Sequence, residues 1–356
     1  MDWDPTNAAH QLLGLKLDGG WSVIERVEPS PAATGGCFSV GYIVQRQDGK
    51  RGFLKALDFS SAHRTSDPPK VIEAMTAAFN FERELLDACR RDRMSRIALA
   101  LADGTVDVPG GFSLPRVSYV ILELADADAR THLALAQHFD VAWRLRSLHH
   151  VATGLNQLHS KGISHQDVKP SNVLVFGNSE SKLGDLGRAS LDGRQCPFDK
   201  SDIPGDRTYA PPELKFHRID PDWRRRRLGS DLYQLGSLAM FFFSGVATTP
   251  ALVDELHPDH RPGTWGDDYQ SVLPYVREAF NSLMIRFETH LQHVVPSYHV
   301  ELAAAVRYLC DPDPALRGHP RDRWAIAAQH SLARFISLFD RLASRAEFHF
   351  RRMVVQ

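Results

Sequence analysis

Hydrophobic and polar positions alternate along three early segments of the chain. Residues 21–27 and 40–44 are rich in Val and Ile, residues 52–57 carry Phe, Leu and Ala, and glycine-containing segments separate the three. This alternation predicts strands that bury one face, and Asp48-Gly49 is typical of a tight turn between antiparallel strands. From residue 70 to 89 the apolar positions instead recur every three or four residues, which predicts an amphipathic helix. The first third of the chain is therefore predicted to be a small antiparallel sheet with one main helix.

The rest of the chain is predicted to be mostly helical. The apolar run 118–126 predicts a buried strand followed by a polar tract, and residues 173–176 predict a shorter strand. Helical spacing covers residues 140–160 and 323–348. These patterns predict an α+β protein in which a small sheet region precedes a larger helical region.

A polar cluster follows the helix predicted at 140–160. His165, Asp167, Lys169 and Asn172 lie in one short loop, and Asp185 follows Asn172 by thirteen residues. Phosphoryl transfer needs a carboxylate to orient the attacking hydroxyl, a second carboxylate with an amide oxygen to bind magnesium, and a lysine to neutralise the transferring group. A plain polar loop is the alternative interpretation, but the agreement of several residues in register argues against it.

The cluster resembles the catalytic and metal loops of the eukaryotic-type (Hanks-type) serine/threonine protein kinases, which read His-Arg-Asp-Leu-Lys-Pro-x-x-Asn and Asp-Phe-Gly. The resemblance implies a bilobal kinase fold that uses ATP and Mg²⁺, with a small sheet N-lobe and a larger helical C-lobe. It makes Asp167 the catalytic base, Lys169 the stabiliser of the transferring phosphoryl group, and Asn172 and Asp185 the magnesium ligands. Lys169 favours Ser/Thr acceptors, since tyrosine kinases usually lack a lysine at that place.

The segment before residue 40 resembles the kinase glycine-rich loop, in which small residues let backbone amides approach phosphate oxygens. Thr34 or Gly35 stands at the family's first glycine and Ser39 at its third, and these changes concern nucleotide affinity rather than the fold. The loop residues predicted to bind the nucleotide are Gly35, Gly36, Cys37, Phe38 and Ser39. Lys55, seventeen residues after Phe38, resembles the strand lysine that binds the phosphates.

The strand lysine needs a carboxylate partner from the following helix. Glu82 shares a helix face with apolar residues three, four and seven positions later, which favours Glu82 as the buried partner. Glu84 fits the Phe-x-x-Glu spelling of the family, so this alternative stays open.

The strand at 118–126 resembles the fifth strand and hinge of the kinases. The resemblance puts Leu122 at the gatekeeper position and turns backbone groups of Glu123 and Ala125 towards adenine. A core strand explains the apolar run equally well, so the adenine contact is implied by the resemblance alone.

Gln166 replaces the arginine that precedes the catalytic aspartate in many kinases, where a phosphate on the activation segment often neutralises it. A neutral glutamine removes the repulsion that this phosphate relieves. Activity is therefore predicted to depend little on phosphorylation of this segment, and alanine at Ser190, Ser201 or Thr208 is expected to leave the rate nearly unchanged.

Asp206 lies in a segment that resembles the substrate-positioning loop of the kinases. It stands where most Ser/Thr kinases have a threonine, and its carboxylate is expected to accept a hydrogen bond from Lys169 and to repel Asp167. The segment ends in Pro211-Pro-Glu213 in place of Ala-Pro-Glu.

The resemblance also implies two braces in the C-lobe. Asp231 would hold the backbone of the catalytic loop, and Arg317 would form a buried ion pair with Glu213. The run Arg224, Arg225, Arg226 and Arg227 is either a solvated basic turn or a docking patch for an acidic or phosphorylated segment.

Composition and charge limit the other possibilities. The 356 residues are 43% hydrophobic and 24% charged, with a net charge of -1, so nothing in the overall charge favours nucleic acid or an anionic membrane. Four scattered cysteines argue against a disulfide framework or a zinc site. The start of the chain lacks the pattern of a signal peptide, and a cytoplasmic location is expected.

The domains are predicted as an N-terminal extension (1–20), an N-lobe with hinge (21–125), a C-lobe (126–330) and a C-terminal helical tail (331–356). The predicted function is phosphoryl transfer from ATP to Ser or Thr of a protein substrate. A nucleotide-binding scaffold without turnover and a small-molecule phosphotransferase of the aminoglycoside or choline kinase type are the alternatives.

Overall fold

The computed structural model describes residues 6–28, 39–136, 138–177, 179–266, 268–324 and 328–354. The chain divides into two units. The N-terminal unit comprises Met1–Asp126 together with Asp185–Gly187, and the C-terminal unit comprises Ala127–Gly184 together with Arg188–Gln356. The boundary lies one residue beyond the predicted end of the hinge.

The N-terminal unit is built on an antiparallel sheet with the strand order β1-β2-β3-β4-β6-β5. The strands are β1 (Lys16–Leu17), β2 (Trp21–Val27), β3 (Ser39–Arg46), β4 (Arg51–Leu57), β5 (Ala100–Asp107) and β6 (Arg116–Glu123). One long helix, α1 (Pro68–Arg91), follows β4. The Asp67 carboxylate accepts a hydrogen bond from Lys70 N–H and caps this helix.

The alternating pattern becomes the core of this sheet. Leu54 and Ala56 on β4 are fully buried, as are Tyr42 on β3 and Ile121 on β6. Gly49 occupies the left-handed region (φ +84°) in the predicted turn between β3 and β4. The register therefore follows from the apolar face and from the turn.

Residues 6–20 are not a separate extension, which corrects the prediction for this segment. Leu12 is fully buried and Leu17 nearly so, in the same core as Tyr42. The Tyr42 hydroxyl donates to the carbonyl of Ala9 at 2.8 Å, and β1 pairs with β2. This segment covers apolar surface of the sheet, and that burial explains why it belongs to the unit.

The C-terminal unit is mostly helical. The helices are α2 (Ala129–Leu135), α3 (Val141–His159), α4 (Pro212–Lys215), α5 (Gly229–Ser244), α6 (Thr248–Glu255), α7 (Tyr269–Val294), α8 (His299–Leu309) and α9 (Ala333–Val354). Short strands β7 (Ala127–Asp128), β9 (Val173–Phe176) and β10 (Glu180–Leu183) form one small sheet, and β8 (Ile163–Ser164) pairs with β11 (Ser190–Leu191). The predicted α+β organisation, with a small sheet and one main helix before a larger helical region, is confirmed.

The C-terminal helix differs from the prediction in its bounds and in its place. It begins at Ala333, where the Ser331 hydroxyl accepts from the first N–H, rather than at residue 323. α9 packs on α3, with Phe335 and Phe339 buried. Arg146 Nε of α3 donates to a carboxylate oxygen of Glu347 at 2.8 Å. The predicted tail is therefore part of the C-terminal unit.

In the described part of the chain, no single helix is long and apolar enough to cross a membrane. Two consecutive helical segments, Arg224–Ser244 and Thr248–Glu255, would together be long and apolar enough, but a bend of 84° separates them.

Candidate active site

Lys55 lies in the middle of β4, opposite Gly41 on β3 and Val120 on β6. Its Nζ is 3.0 Å from Glu82 Oε1 and 3.0 Å from Asp185 Oδ1, all within the N-terminal unit. Burial opposes the charge of this lysine, but the carboxylates of Asp185 and Glu82 outweigh it and hold the pKa of Lys55 above its ordinary value. Lys55 is therefore a fixed cation at neutral pH.

The helix face decides which glutamate meets Lys55. Glu82 is 9% exposed and lies on the same face of α1 as the buried Phe81, Leu85 and Leu86. Glu84 is exposed. The ion pair forms with Glu82, the residue that the apolar spacing favours.

Asp185 holds its carboxylate in a tight turn. Its φ is +62°, a left-handed conformation that aspartate adopts more readily than most residues. The next side chain, Leu186, is fully buried, and Gly187 N–H points back to Asp185 Oδ1 at 3.4 Å. The turn directs the Asp185 carboxylate to Lys55.

The predicted adenine and phosphate contacts are described only in part. Leu122 is 7% exposed on β6, Glu123 donates its N–H to the carbonyl of Leu99, and Ala125 follows the end of the strand. Ser39 is the first residue of β3. The other predicted loop residues, Gly35, Gly36, Cys37 and Phe38, lie outside the described residues.

The catalytic loop of the C-terminal unit is held by one buried carboxylate. Asp231 on α5 is fully buried and accepts hydrogen bonds from the backbone N–H groups of His165 and Gln166, both at 2.8 Å. Ser164 Oγ and His159 Nε2 also bond Asp231, each at 2.8 Å. Burial opposes its ionisation, yet these bonds, led by the one from His159, hold the pKa of Asp231 below its ordinary value.

Gln234, one helical turn after Asp231, adds two further bonds that sequence reasoning missed. Its Oε1 accepts from Val168 N–H and its Nε2 donates to the Gln166 carbonyl, each at 2.9 Å. The three-residue spacing puts Asp231 and Gln234 on one face of α5. That spacing was available in the sequence.

His165 is fully buried behind the loop. Asp167 N–H donates to His165 Nδ1 at 3.3 Å, so Nδ1 is the acceptor nitrogen. His165 Nε2 then carries the proton and donates to the carbonyl of Gly184 at 3.0 Å. His165 therefore ties the catalytic loop to the backbone of Gly184 within the C-terminal unit.

The Asp167 carboxylate receives three donors. Asp206 N–H bonds Oδ1 at 2.7 Å, and Lys169 Nζ and Asn172 Nδ2 each lie 3.0 Å from Oδ2. A Cβ at Gly205 would lie 2.3 Å from the Gln166 carbonyl and 2.7 Å from Asp167 Oδ1. Only glycine at residue 205 therefore lets this backbone reach the carboxylate.

Asp206 does not turn its own carboxylate to Asp167, which corrects the expected repulsion. The Asp206 backbone N–H faces Asp167, while Asp206 Oδ2 lies 3.6 Å from Lys169 Nζ. Asp206 Oδ1 accepts from Thr208 N–H at 2.8 Å. Lys169 therefore lies beside two carboxylates.

Asn172 and Asp185, the predicted magnesium ligands, each offer an oxygen atom of the kind that magnesium prefers. Asn172 commits its amide nitrogen to Asp167, both to the carbonyl at 2.8 Å and to Oδ2, which leaves the amide oxygen as a ligand atom. Asp185 offers a carboxylate, 37% exposed, in the N-terminal unit. No cluster of three or more His, Cys, Asp or Glu side chains able to hold a metal occurs in the described ranges.

Gln166 accepts a hydrogen bond from a buried arginine, Arg227. Arg227 lies in a π-helical turn, Arg224–Leu228, and donates to Gln166 Oε1 at 3.0 Å. Arg227 NH2 also donates to Asp199 Oδ1 at 3.0 Å and to the Asp199 carbonyl at 3.1 Å. Arg227 and Asp199 are two site residues that sequence reasoning missed.

The predicted docking patch is therefore corrected at one residue. Arg227 is 2% exposed and cannot meet a partner, because its charge is satisfied inside the unit. Arg225 is half-buried and pairs with Asp220 at 3.3 Å, and Arg224 is exposed. A docking role for Arg224, Arg225 and Arg226 stays a prediction.

The second implied brace is present in the C-terminal unit. Arg317 is fully buried and bonds both carboxylate oxygens of Glu213, at 2.7 and 2.8 Å. Arg317 also donates to the carbonyls of Gly229 and Asp311. This bidentate pair fixes the end of the substrate-positioning segment.

Comparisons with known proteins match part of the chain to protein kinases. Residues 82–250 match the family model of the protein kinase domain, so Lys55 precedes the matched part. The chain is 34% identical over 100 residues to the putative mitogen-activated protein kinase 14C of Drosophila melanogaster, which covers 28% of this chain and 27% of that protein. It is 30% identical over 128 residues to an Aurora kinase of Debaryomyces hansenii, covering 36% and 30% of the two chains. It is 32% identical over 135 residues to the Wee1-like protein kinase of Arabidopsis thaliana, covering 36% and 26%. The alignments span less than a third of each of these relatives.

Proposed function

The chain belongs to the eukaryotic-type protein kinase family, and we propose that it transfers the γ-phosphoryl group of ATP to Ser or Thr hydroxyls of protein substrates. The observation that carries this proposal is the Asp167 carboxylate, which receives hydrogen bonds from Asp206 N–H and Asn172 and an ion pair from Lys169. The loop that bears it is braced by the buried Asp231. Such a carboxylate is oriented before substrate binds.

Asp167 is the proposed base. It orients the attacking hydroxyl and accepts its proton, while Lys169 stabilises the negative charge of the transferring group. The three donors, Asp206 N–H, Asn172 Nδ2 and Lys169 Nζ, hold the Asp167 carboxylate in one orientation.

Lys55, Asp185 and Asn172 are the proposed residues for the magnesium nucleotide. ATP with Mg²⁺ supplies the phosphoryl group and part of the neutralising charge. Lys55, kept cationic by Glu82 and Asp185, would bind the phosphates, and Asp185 and Asn172 would bind the metal through oxygen atoms. The segment Gly35–Ser39 and the backbone of Glu123 and Ala125 belong to the same proposal.

Independence from activation-segment phosphorylation is also part of the proposal. The loop position that carries an arginine in many kinases is a neutral amide here, and Gln166 Oε1 accepts from Arg227. The positive charge of Arg227 is already met by Asp199 in the activation segment. The carboxylate of Asp199 thus provides, without modification, the negative charge that a phosphate would bring. The segment needs no added anion in order to bond the catalytic loop.

A nucleotide-binding scaffold is the second candidate, and one observation favours it. Asp206 Oδ2 lies 3.6 Å from Lys169 and competes for the cation that the transferring group needs. Under this alternative the chain would bind ATP and transfer nothing.

Phosphate transfer from labelled ATP with Mg²⁺ tests the proposal, with wild type and Asp167→Asn compared on the protein itself and on a generic basic protein. Label on Ser or Thr from wild type alone is the expected result. If both proteins bind ATP but neither transfers label, the kinase proposal is rejected and the nucleotide-binding scaffold is supported. Label only on small hydroxyl compounds would indicate a small-molecule phosphotransferase.

A further inference from the structure

A cavity of about 410 Å³ opens in the C-terminal unit, next to the segment that bonds Asp167. Basic residues line one side of it: Arg207 follows Asp206, Lys215 lies at the end of α4, and His217 follows shortly after. None of these three has a role in the site described above. The cavity is therefore a separate feature of the substrate-positioning region.

Two of these cations are in direct contact with no counter-ion among the described residues. In the parts of the chain that the structure describes, no hydrogen bond or ion pair joins the side chain of Arg207 or Lys215 to a neighbour. Lys215 is half-buried; burial and the nearby Arg207 guanidinium lower its pKa, and Asp206 opposes this effect. Two like charges at one cavity repel each other until an anion binds.

The third basic side chain, His217, and the wall residue Thr249 each have hydrogen-bond partners. His217 has φ +58°, and its Nδ1 lies 2.9 Å from Asp202 Oδ2, which leaves Nε2 as the other polar atom of the ring. Thr249 in the wall is 2% exposed, donates to the Ala210 carbonyl at 2.7 Å and lies 3.0 Å from the Tyr233 hydroxyl. Thr249 is thus held in place in the cavity wall and His217 is oriented by Asp202, whereas no hydrogen bond within the described ranges holds Arg207 or Lys215.

The cavity lies within a short chain distance of the catalytic aspartate. Asp206 N–H bonds Asp167 at 2.7 Å, and Arg207 and Thr208 are the next two residues. Successive Cα atoms lie about 3.8 Å apart. A peptide whose hydroxyl meets Asp167 would therefore place a residue only a few positions away at this cavity.

We propose that Arg207, Lys215 and His217 bind an anionic side chain of the substrate, a phosphate or a carboxylate, within about four residues of the acceptor hydroxyl. This inference rests on the proposed kinase function. A phosphate fits best, because it carries more charge and three acceptor oxygens for the arginine fork and the lysine. The chain would then prefer acidic or previously phosphorylated substrates.

Kinetics on matched peptides test this preference. Each peptide has one acceptor serine, and phosphoserine, aspartate or alanine is placed in turn at the four positions on either side. At one or more positions we expect kcat/KM for the phosphoserine peptide to exceed that for the alanine peptide about tenfold, with aspartate intermediate. Equal values for phosphoserine and aspartate would assign the site to carboxylates as well. Equal values for all three peptides at every position would overturn the proposal.

Two variants assign the preference to the cavity. Arg207→Gln and Lys215→Gln are expected to reduce the ratio towards one, through KM for the anionic peptide. Arg286→Gln is the control, because it removes one positive charge from an exposed residue of α7. In this variant the ratio of kcat/KM between the phosphoserine and alanine peptides is expected to stay as in wild type. A ratio unchanged in both cavity variants would also overturn the proposal.

Binding without turnover separates this proposal from the kinase function. Fluorescence anisotropy of the same peptides with Asp167→Asn is expected to show about tenfold tighter binding of the phosphoserine peptide, and Lys215→Gln in that background is expected to abolish the difference. Anion-dependent binding with no phosphate transfer by wild type would keep the cavity site and reject the kinase function. Phosphate transfer by wild type together with equal binding of all peptides would keep the kinase function and reject the anion site in the cavity.

Discussion

The two sets of site residues differ in what holds them in place. In the C-terminal unit the catalytic loop is fixed through its backbone, because Asp231 accepts from two successive N–H groups and Gln234 bonds the next two peptide groups. In the N-terminal unit Lys55 is fixed by ion pairs to Glu82 and Asp185. Backbone bonds to a buried helix allow few alternatives, whereas long side chains have many rotamers.

Burial follows the same division. Asp231 is fully buried, while the side chains of Lys55, Glu82 and Asp185 are 18%, 12% and 37% exposed. A charged group that keeps some contact with water costs less to disturb than a fully buried one. The difference teaches that variants of the catalytic loop should change stability and rate together. Variants around Lys55 should change nucleotide affinity with a smaller change in stability.

The largest effect is expected for Asp231→Asn. One oxygen is replaced by an NH₂ group, which would face the N–H of either His165 or Gln166, so a buried donor loses its acceptor. We expect a loss of about 3 kcal/mol in the free energy of unfolding and about a hundredfold loss in kcat. Thermal unfolding and initial rates on a generic protein substrate measure the two.

Asp254→Asn, an exposed acid on α6, serves as the control and should change stability by less than about 0.5 kcal/mol. If Asp231→Asn is as stable and as active as this control, the buried carboxylate does not brace the catalytic loop, and the proposed difference between the two units is wrong.

The next effect distinguishes Glu82 from Glu84. Glu82→Gln keeps the shape but removes the charge that pairs with Lys55, so KM for ATP should rise about tenfold, with a smaller loss of unfolding free energy than in Asp231→Asn. Glu84→Gln changes an exposed side chain two residues away and should leave KM within about twofold. ATP titrations at saturating protein substrate measure both, and the reverse pattern would assign the pairing role to Glu84.

A smaller effect concerns pH and a buried histidine in the C-terminal unit. Burial, followed by the Arg317 guanidinium, lowers the pKa of His330 from 6.5 to about 4, and His330 Nε2 has no hydrogen-bond partner among the described residues. The unfolded chain takes up this proton at about pH 6.5 and the folded chain only at about pH 4. Stability is therefore full above pH 6.5 and falls as the pH decreases between these values, by about 1 kcal/mol at pH 5.5.

Denaturant unfolding of wild type and His330→Asn at pH 7.5 and 5.5 isolates this contribution. The difference in unfolding free energy between the two proteins should shrink by about 1 kcal/mol at the lower pH. A difference independent of pH would show that His330 titrates normally.

Regular elements could be predicted wherever one segment carried its own pattern. The Val- and Ile-rich strands and the apolar face of α1, which includes Glu82, follow from local spacing. No strand was predicted at β5, because Asp103 and Gly104 disfavour one locally. Its pairing with β6 instead uses the absence of a side chain at Gly104, where a Cβ would lie 2.7 Å from the Tyr119 hydroxyl.

The site residues that are close in sequence could be predicted, and those that only tertiary structure brings together could not. Asp167, Lys169 and Asn172 lie in one loop, so spacing could bring them together. Arg227 and Asp199 are 28 residues apart and meet through the π-helical turn before α5. Arg227 was part of a basic run that predicted a surface, and only tertiary structure shows that its charge is used inside the unit.

The smallest effect is expected for Ser201→Ala. Ser201 is an exposed hydroxyl of the activation segment, bonded only locally to the carbonyl of Ile203 at 3.0 Å. Since Asp199 already pairs with Arg227, removal of this acceptor should leave kcat/KM within about twofold. Asp199→Asn is the matched variant: it keeps the shape but leaves the buried Arg227 charge without its carboxylate, and kcat should fall about tenfold. Initial rates of the phosphatase-treated proteins measure both. A large loss in Ser201→Ala, with Asp199→Asn as active as wild type, would mean that the activation segment is held by phosphate after all.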